Sequence, residues 1–258
     1  TTTGNWREVQ KIVASDRDND DKFGYSVAID GNYAIVGAKG EREDVSGQNF
    51  KKGAGSAYLF ERNASTGNWS EVQKIVASDR SENGRFGWSV SISGNYAIVG
   101  ALYENNSGPN NYYDGDGSAY LFERNTTTGT WSEVQKIVAS DRASGDRFGR
   151  SVAIDGNYAI VGAPYEDQDA SGQNTKQRAG AAYLFERNAT TGTWSEVQKI
   201  SASDRAQADF FGYSVSISGQ YAILGALYVD KDDSGQDSLG DAGSAYLFER
   251  NATNGNWN

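Results

Sequence analysis

The sequence predicts an all-β chain folded as a four-bladed β-propeller, on three observations. The stretch FGYSVAIDGNYAIVGA, Phe23 to Ala38, returns as FGWSVSISGNYAIVGA from Phe86, FGRSVAIDGNYAIVGA from Phe148 and FGYSVSISGQYAILGA from Phe211, and such self-similarity marks a repeat architecture. Trp6, Trp69, Trp131, Trp194 and Trp257 open successive units at spacings of 62 or 63 residues. No window shows apolar residues recurring at three and four over a helical length, whereas 31 Gly, 2 Pro and 12% aromatic residues fit short strands joined by glycine turns.

Each repeat divides into four strand-like runs. In the first, WREVQKIVAS (Trp6 to Ser15) is rich in β-branched residues and ends in a polar loop, Asp16 to Lys22. FGYSVAI then alternates Phe23, Tyr25, Val27 and Ile29 with Gly24, Ser26 and Ala28; the small residues of the second face admit a neighbouring sheet at close range. Asp30-Gly31-Asn32 supplies a tight turn, and YAIVGA returns as the partner strand of a hairpin. A long polar loop, Lys39 to Gly53, leads to GSAYLFERN, and Asn63 to Asn68 turns the chain into the next unit.

A single four-stranded sheet cannot bury both faces, so each repeat needs neighbours, and radial repetition supplies them with short edges. The expected molecule is one domain, residues 1–258, with repeats at 6–68, 69–130, 131–193 and 194–256 and antiparallel four-stranded blades of about 62–63 residues. The chain starts with the strand expected outermost and ends after the third strand of the last repeat. The ring is therefore expected to be closed by the N-terminal strand, Trp6 and Trp257 competing for one place.

Composition narrows the function. The net charge of −10 opposes phosphate backbones and anionic lipid, so nucleic acid is not an expected partner. No run approaches the eighteen apolar residues of a membrane-spanning helix, so membrane insertion is not expected. With no Cys and no His, disulfides are excluded, as is nucleophilic catalysis of the Ser-His or Cys-His kind. A carboxylate pair of the glycosidase type stays open, but no Asp or Glu breaks the repeat so as to single out one cleft. The expectation is no enzyme.

FGxSVAI, a short turn and YAIVGAP, complete with Pro164 in the third repeat, resemble the FG-GAP repeat of integrin α-chain propellers and their bacterial relatives, across essentially the whole chain. The resemblance implies an extracellular or cell-surface adhesion or ligand-binding propeller; the expected setting is secreted, with glycans or cell-surface glycoproteins as partners. In the integrin form the turn between the inner strands is often a calcium loop. Here it is cut to Asp30-Gly31-Asn32 and its three counterparts.

Candidate binding residues lie after each GA, since loops on a rigid scaffold bear function. Tyr103, Tyr165 and Tyr228 recur there, and the long loops repeat Asp44 to Asn49, Asp169 to Asn174 and Asp232 to Asp237 around Ser-Gly-Gln. Carboxylate and amide groups beside an aromatic suit sugar hydroxyls; the alternative is that the rings pack between blades and that the loops are solvated turns. Calcium has one local candidate, Asp16, Asp18 and Asp20, at the alternate spacing calcium loops use but without the downstream Glu. The Glu-Arg pair of every third strand is expected to be structural, pairing with Lys11-type neighbours on the next strand.

The reading that follows is a non-enzymatic, multivalent carbohydrate-binding or cell-adhesion propeller, weak sites gaining through avidity. The alternative is a structural or protein-interaction domain of a larger adhesin or toxin, and behind it a carboxylate-dependent hydrolase.

Overall fold

The computed structural model describes residues 4–104, 115–230 and 239–258. Every regular element in them is a strand, and no helix is long and apolar enough to cross a membrane. Blade 1 consists of β1 (Phe23–Asp30), β2 (Tyr33–Ala38), β3 (Ser56–Arg62) and β4 (Trp69–Ile75). Blade 2 has β5 (Ser89–Ser93), β6 (Tyr96–Ala101), β7 (Ser118–Arg124) and β8 (Trp131–Ile137). Blade 3 has β9 (Ser151–Asp155), β10 (Tyr158–Ala163), β11 (Ala181–Arg187) and β12 (Trp194–Ile200), and blade 4 has β13 (Ser214–Ser218), β14 (Tyr221–Ala226) and β15 (Ser244–Glu249). Strand order follows the sequence in every sheet, and all pairings are antiparallel. The all-β propeller, one blade per repeat, is thus as the sequence predicts.

Successive blades stack through their inner strands, β1 on β5, β5 on β9 and β9 on β13. Between them lie apolar clusters in which Ile35 and Leu59 meet Val90 and Ile92, and Ile98 and Leu121 meet Val152 and Ile154. The spacing is set by glycine. A Cβ on Gly37, Gly100 or Gly162 would stand 2.0–2.1 Å from the carbonyl oxygen of Gly87, Gly149 or Gly212 in the next blade. The Ser26, Ser89 and Ser151 hydroxyls donate to those same carbonyls at 2.8–2.9 Å. The small-residue face read from FGxS is therefore a blade-to-blade contact.

Two details differ from the expectation. Phe23 and Tyr25 do not share a face. The Tyr25 amide donates to the Lys22 carbonyl, as those of Trp88, Arg150 and Tyr213 do to Arg85, Arg147 and Phe210, with the intervening Gly24 at φ 85°. This is a β-turn with glycine at its third position, and it sends Phe23 to Tyr58 and Phe60 while Tyr25 turns to Trp88.

The second difference is at the expected clasp. Residues 6–15 form no strand with β15, and the fourth sheet has three strands. Instead Gln10 grips the backbone of Trp69 through its amide, donating at 2.7 Å and accepting at 2.8 Å. Gln73 holds Trp131 and Gln135 holds Trp194 in the same way. The segment thus lies where the outer strand of a blade preceding blade 1 would lie. Trp257, held by Gln198 and packed on Tyr158, takes the contested place, while Trp6 is fully exposed. Blades 4 and 1 do not pack on each other as consecutive blades do.

Gly162→Ala should cost about 2–3 kcal/mol, the scale of overpacking a core, because its Cβ meets backbone that cannot yield. Gly225→Ala, where the added carbon meets only the Ser214 hydroxyl within 3 Å, should cost well under half of that. Thermal unfolding of both variants measures the difference, and equal losses would show that the close approach is not what limits the position.

Candidate functional site

The face carrying the turns before each FG and the loops after each GA gathers the chemistry. The residue before FG sits at positive φ in every repeat, 60° at Lys22, 62° at Arg85, 60° at Arg147 and 56° at Phe210. Such a conformation in bulky residues is held only by its surroundings. It places a basic and aromatic ladder across the blades. The Arg147 guanidinium lies 3.7 Å from the Tyr165 ring centre and 5.6 Å from that of Tyr103. Phe210 continues the row, edge-on to Tyr165 at 5.0 Å and to Tyr228 at 5.4 Å.

Between blades 1 and 2 this face opens into a cleft of about 450 Å³. Lys39, just after the first GA, projects its ammonium between the Tyr25 and Trp88 rings, 3.4 and 3.8 Å from their centres. Burial, then the positive charges of Arg85, Arg150 and Lys22, lower its pKa to about 8. Lys22, Arg42, Lys52 and Arg85 also line the cleft, with Asp20 the one acid there. Asp20 pairs with Lys22 at 2.9 Å and Arg42 at 3.9 Å. Among the described residues no carboxylate lies within salt-bridge distance of Lys39, Lys52 or Arg85. On a chain of net charge −10, this is a local concentration of positive charge beside aromatic rings.

The residues expected from sequence are distributed differently. Tyr103 is buried against Trp88 at one edge of the cleft; Tyr165 and Tyr228 stack on Phe210 between blades. Asp44 is engaged within its own loop, accepting from the Ser46 hydroxyl at 2.6 Å and from Asn49, bonds that hold its pKa well below the carboxylate range. Asp169 does the same with Ser171 and Asn174. The backbone oxygens of Asn49 and Asn174 accept from Arg80 and Arg205 at 2.8 Å, so these loops tie one repeat to the next. Asp232 and Asp237 lie outside the described residues.

Asp16, Asp18 and Asp20 do not converge: Asp16 faces Tyr58 and Lys74, at 2.8 and 2.6 Å, and Asp20 faces Lys22. Among the described residues no group of three or more acidic side chains is arranged to hold a metal ion.

Asp16 belongs instead to a repeated ionic cluster missed in the sequence. Tyr58 donates to Asp16 at 2.8 Å or to Glu41 at 2.9 Å, and Lys74 lies 2.6 and 3.6 Å from the same carboxylates. Tyr183, Asp141, Glu166 and Lys199 reproduce it in blade 3. Burial works against the charge on Asp16 and Asp141, but the bonds from Lys and Tyr outweigh it and lower both pKa values. The signal is present as Ser-Asp-Arg, which closes the WxEVQKI stretch of every repeat. The Glu-Arg pairs are also structural, with different partners than expected. Arg187 and Arg250 sit over Tyr96 and Tyr158 of the preceding blade and pair with Glu123 and Glu186 at 3.6 and 3.4 Å.

Asp146, buried beside Glu166, is the strained member of this region. Burial first, and the neighbouring Glu166 charge second, raise its pKa to about 8. The folded protein therefore keeps a proton that the unfolded chain, with the ordinary value of 3.8, releases, and stability falls as pH rises between those values. Asp146→Asn should flatten that slope, leaving the variant relatively more stable at pH 8 than at pH 5 by at least about 1 kcal/mol, less than one pKa unit of interaction. Melting curves across this range check it; a constant offset between variant and parent would contradict the assignment.

Comparison with known proteins places this geometry. A family model for the FG-GAP repeat matches residues 6–60, 69–122, 131–185 and 194–248. No curated protein matches the chain. Among solved structures, the crystal structure of the Saccharomyces cerevisiae Sqt1 is similar at 8% identity and a TM-score of 0.47, over 83% of this chain and 45% of that one. With four matches that cover most of the sequence, each holding the three inner strands of one blade, the chain belongs to the FG-GAP repeat family.

Proposed function

We propose that the chain is a secreted, non-enzymatic binding propeller of the lectin or adhesion kind, and that the cleft between blades 1 and 2 takes an acidic glycan. The observation that supports this reading is Lys39 between Tyr25 and Trp88 with Arg85 and Lys52 beside it. An acidic sugar presents a carboxylate or sulfate and an apolar ring face, and cations with exposed aromatic edges answer both. Steering by this patch works locally against a repulsive net charge, so binding should weaken steeply with salt.

A glycan array comparing neutral, uronic and sulfated oligosaccharides, with and without calcium, tests the reading. Binding restricted to acidic glycans is expected, with Lys39→Ala or Trp88→Ala lowering affinity by roughly tenfold, the scale of one desolvated cation–π contact or charged hydrogen bond. Retained binding in both variants, or none in the parent, would refute it.

A further inference from the structure

The two outward faces of the arc, on blade 1 and blade 4, are halves of one interface, and we propose that they dock to each other between two copies of this chain, head to tail.

The interior of the molecule displays that interface three times. On the side facing the following blade, Ile35, Ile98 and Ile160 and Leu59, Leu121 and Leu184 are at most 1% exposed. Their counterparts on blade 4, Ile223 and Leu247, are 44% and 77% exposed. On the side facing the preceding blade, Val90 with Ile92 and Val152 with Ile154 are buried. Their counterparts on blade 1, Val27 and Ile29, are 69% and 67% exposed. Apolar surface of this kind on a soluble scaffold marks a contact, and each face shows what the other buries elsewhere.

The polar groups match as well. A Cβ on Gly24 would meet nothing within 4 Å, although one on Gly87, Gly149 or Gly212 would meet the carbonyl oxygen of Ser56, Ser118 or Ala181. Gly24 thus offers blade 1 as the receiver of Ser214 and Gly225. Arg187 and Arg250 each hold a Tyr and a Glu of the preceding blade, whereas their counterpart Arg62 is half-buried and makes no ion pair among the described residues; Tyr221 and Glu249 are the matching pair on blade 4. Asp204 accepts from Tyr246 at 2.8 Å, and the Lys that joins Asp16, Asp79 and Asp141 has its counterpart in Lys11 of the other copy.

The N-terminal segment supplies the missing strand. Blade 4 has only the start of a fourth strand, Trp257 bridging Arg250 and Asn258 bonded to Glu249 at 3.0 Å in both directions. By the register of β3 with β4, Glu8 to Ile12 of the second copy continue along the β15 edge beyond Asn258. Only Trp6 and Arg7 overlap with residues already in place, and both are exposed. Gln10 already holds this segment on blade 1 in the posture an outer strand takes, so strand addition orders little new backbone. The contact is heterologous, hence a closed dimer if two copies complete the rotation and a longer assembly if they do not.

The test is the mass of the 258-residue chain by sedimentation and light scattering, alone and as two variants, each carrying one exposed substitution. The parent is expected to be a dimer or larger, and Val27→Glu and Leu247→Glu each to weaken assembly at least tenfold. Mixed in equal amounts, the two variants should regain a heterodimer, because the mixture holds one intact pair of faces. A monomeric parent, whether its faces stay open or close on each other, overturns the proposal. So does failure of the mixture to associate, which would mark a symmetric or non-specific contact. Glycan binding plays no part in either readout, so the result is independent of the proposed ligand.

Discussion

The structure depends on one close approach: in blades 1 to 3 the second-strand glycine lies against the glycine carbonyl of the next FG. With Gly162 on Gly212 and its analogues, the two backbones come as near as van der Waals contact allows, and a serine hydroxyl satisfies the carbonyl so trapped. No other residue fits, because any Cβ falls on the oxygen. This spacing lets Ile98 and Leu121 reach Val152 and Ile154 without a void; a wider gap would leave the apolar layer with neither contact nor water.

Farther from the axis the same blades are held by charge. Buried Lys199 lies between Asp141 and Glu166, with the Tyr183 hydroxyl completing the set. Such a cluster adds little net stability, since desolvation offsets most of the attraction, but losing one member leaves the others unpaired in the interior. Its value lies in register: a blade slipped by one residue would bury Glu166 opposite no cation. Apolar packing supplies the energy near the axis, and the ionic clusters choose the alignment.

Most of this frame was legible in the sequence because the repeat shows it four times. The hairpin around Gly31, the long loops and the blade count follow from spacing and alternation, which are properties of one strand or its immediate neighbour. The misreadings have a common cause in relations between repeats. Phe23 and Tyr25 look like one face until the turn at Gly24 is known to reverse direction. Asp16, Asp18 and Asp20 look like a calcium loop until Tyr58 and Lys74, 42 and 58 residues away, claim the first of them. The clasp is suggested by one strand missing and one spare, yet Gln10 binds Trp69 wherever blade 4 lies.

The candidate cleft was hidden for the opposite reason, since it lies where the repeat fails. Lys39 stands where the other repeats have Leu102, Pro164 and Leu227, and Gly40 where they have tyrosine. At Gly40 the Asp20 carbonyl oxygen takes the place of a side chain, 1.9 Å from where a Cβ would stand, and the neighbouring lysine puts a charge between two rings. In a molecule whose faithful positions are explained by packing, a departure from the repeat that gathers cations beside aromatic rings is the better guide to a ligand. Partial burial and the neighbouring cations disfavour the charged form of Lys39, a cost that an arriving anion removes. That balance makes the blade 1–2 cleft different in kind from the tyrosine stacks beside it, which are complete as they stand.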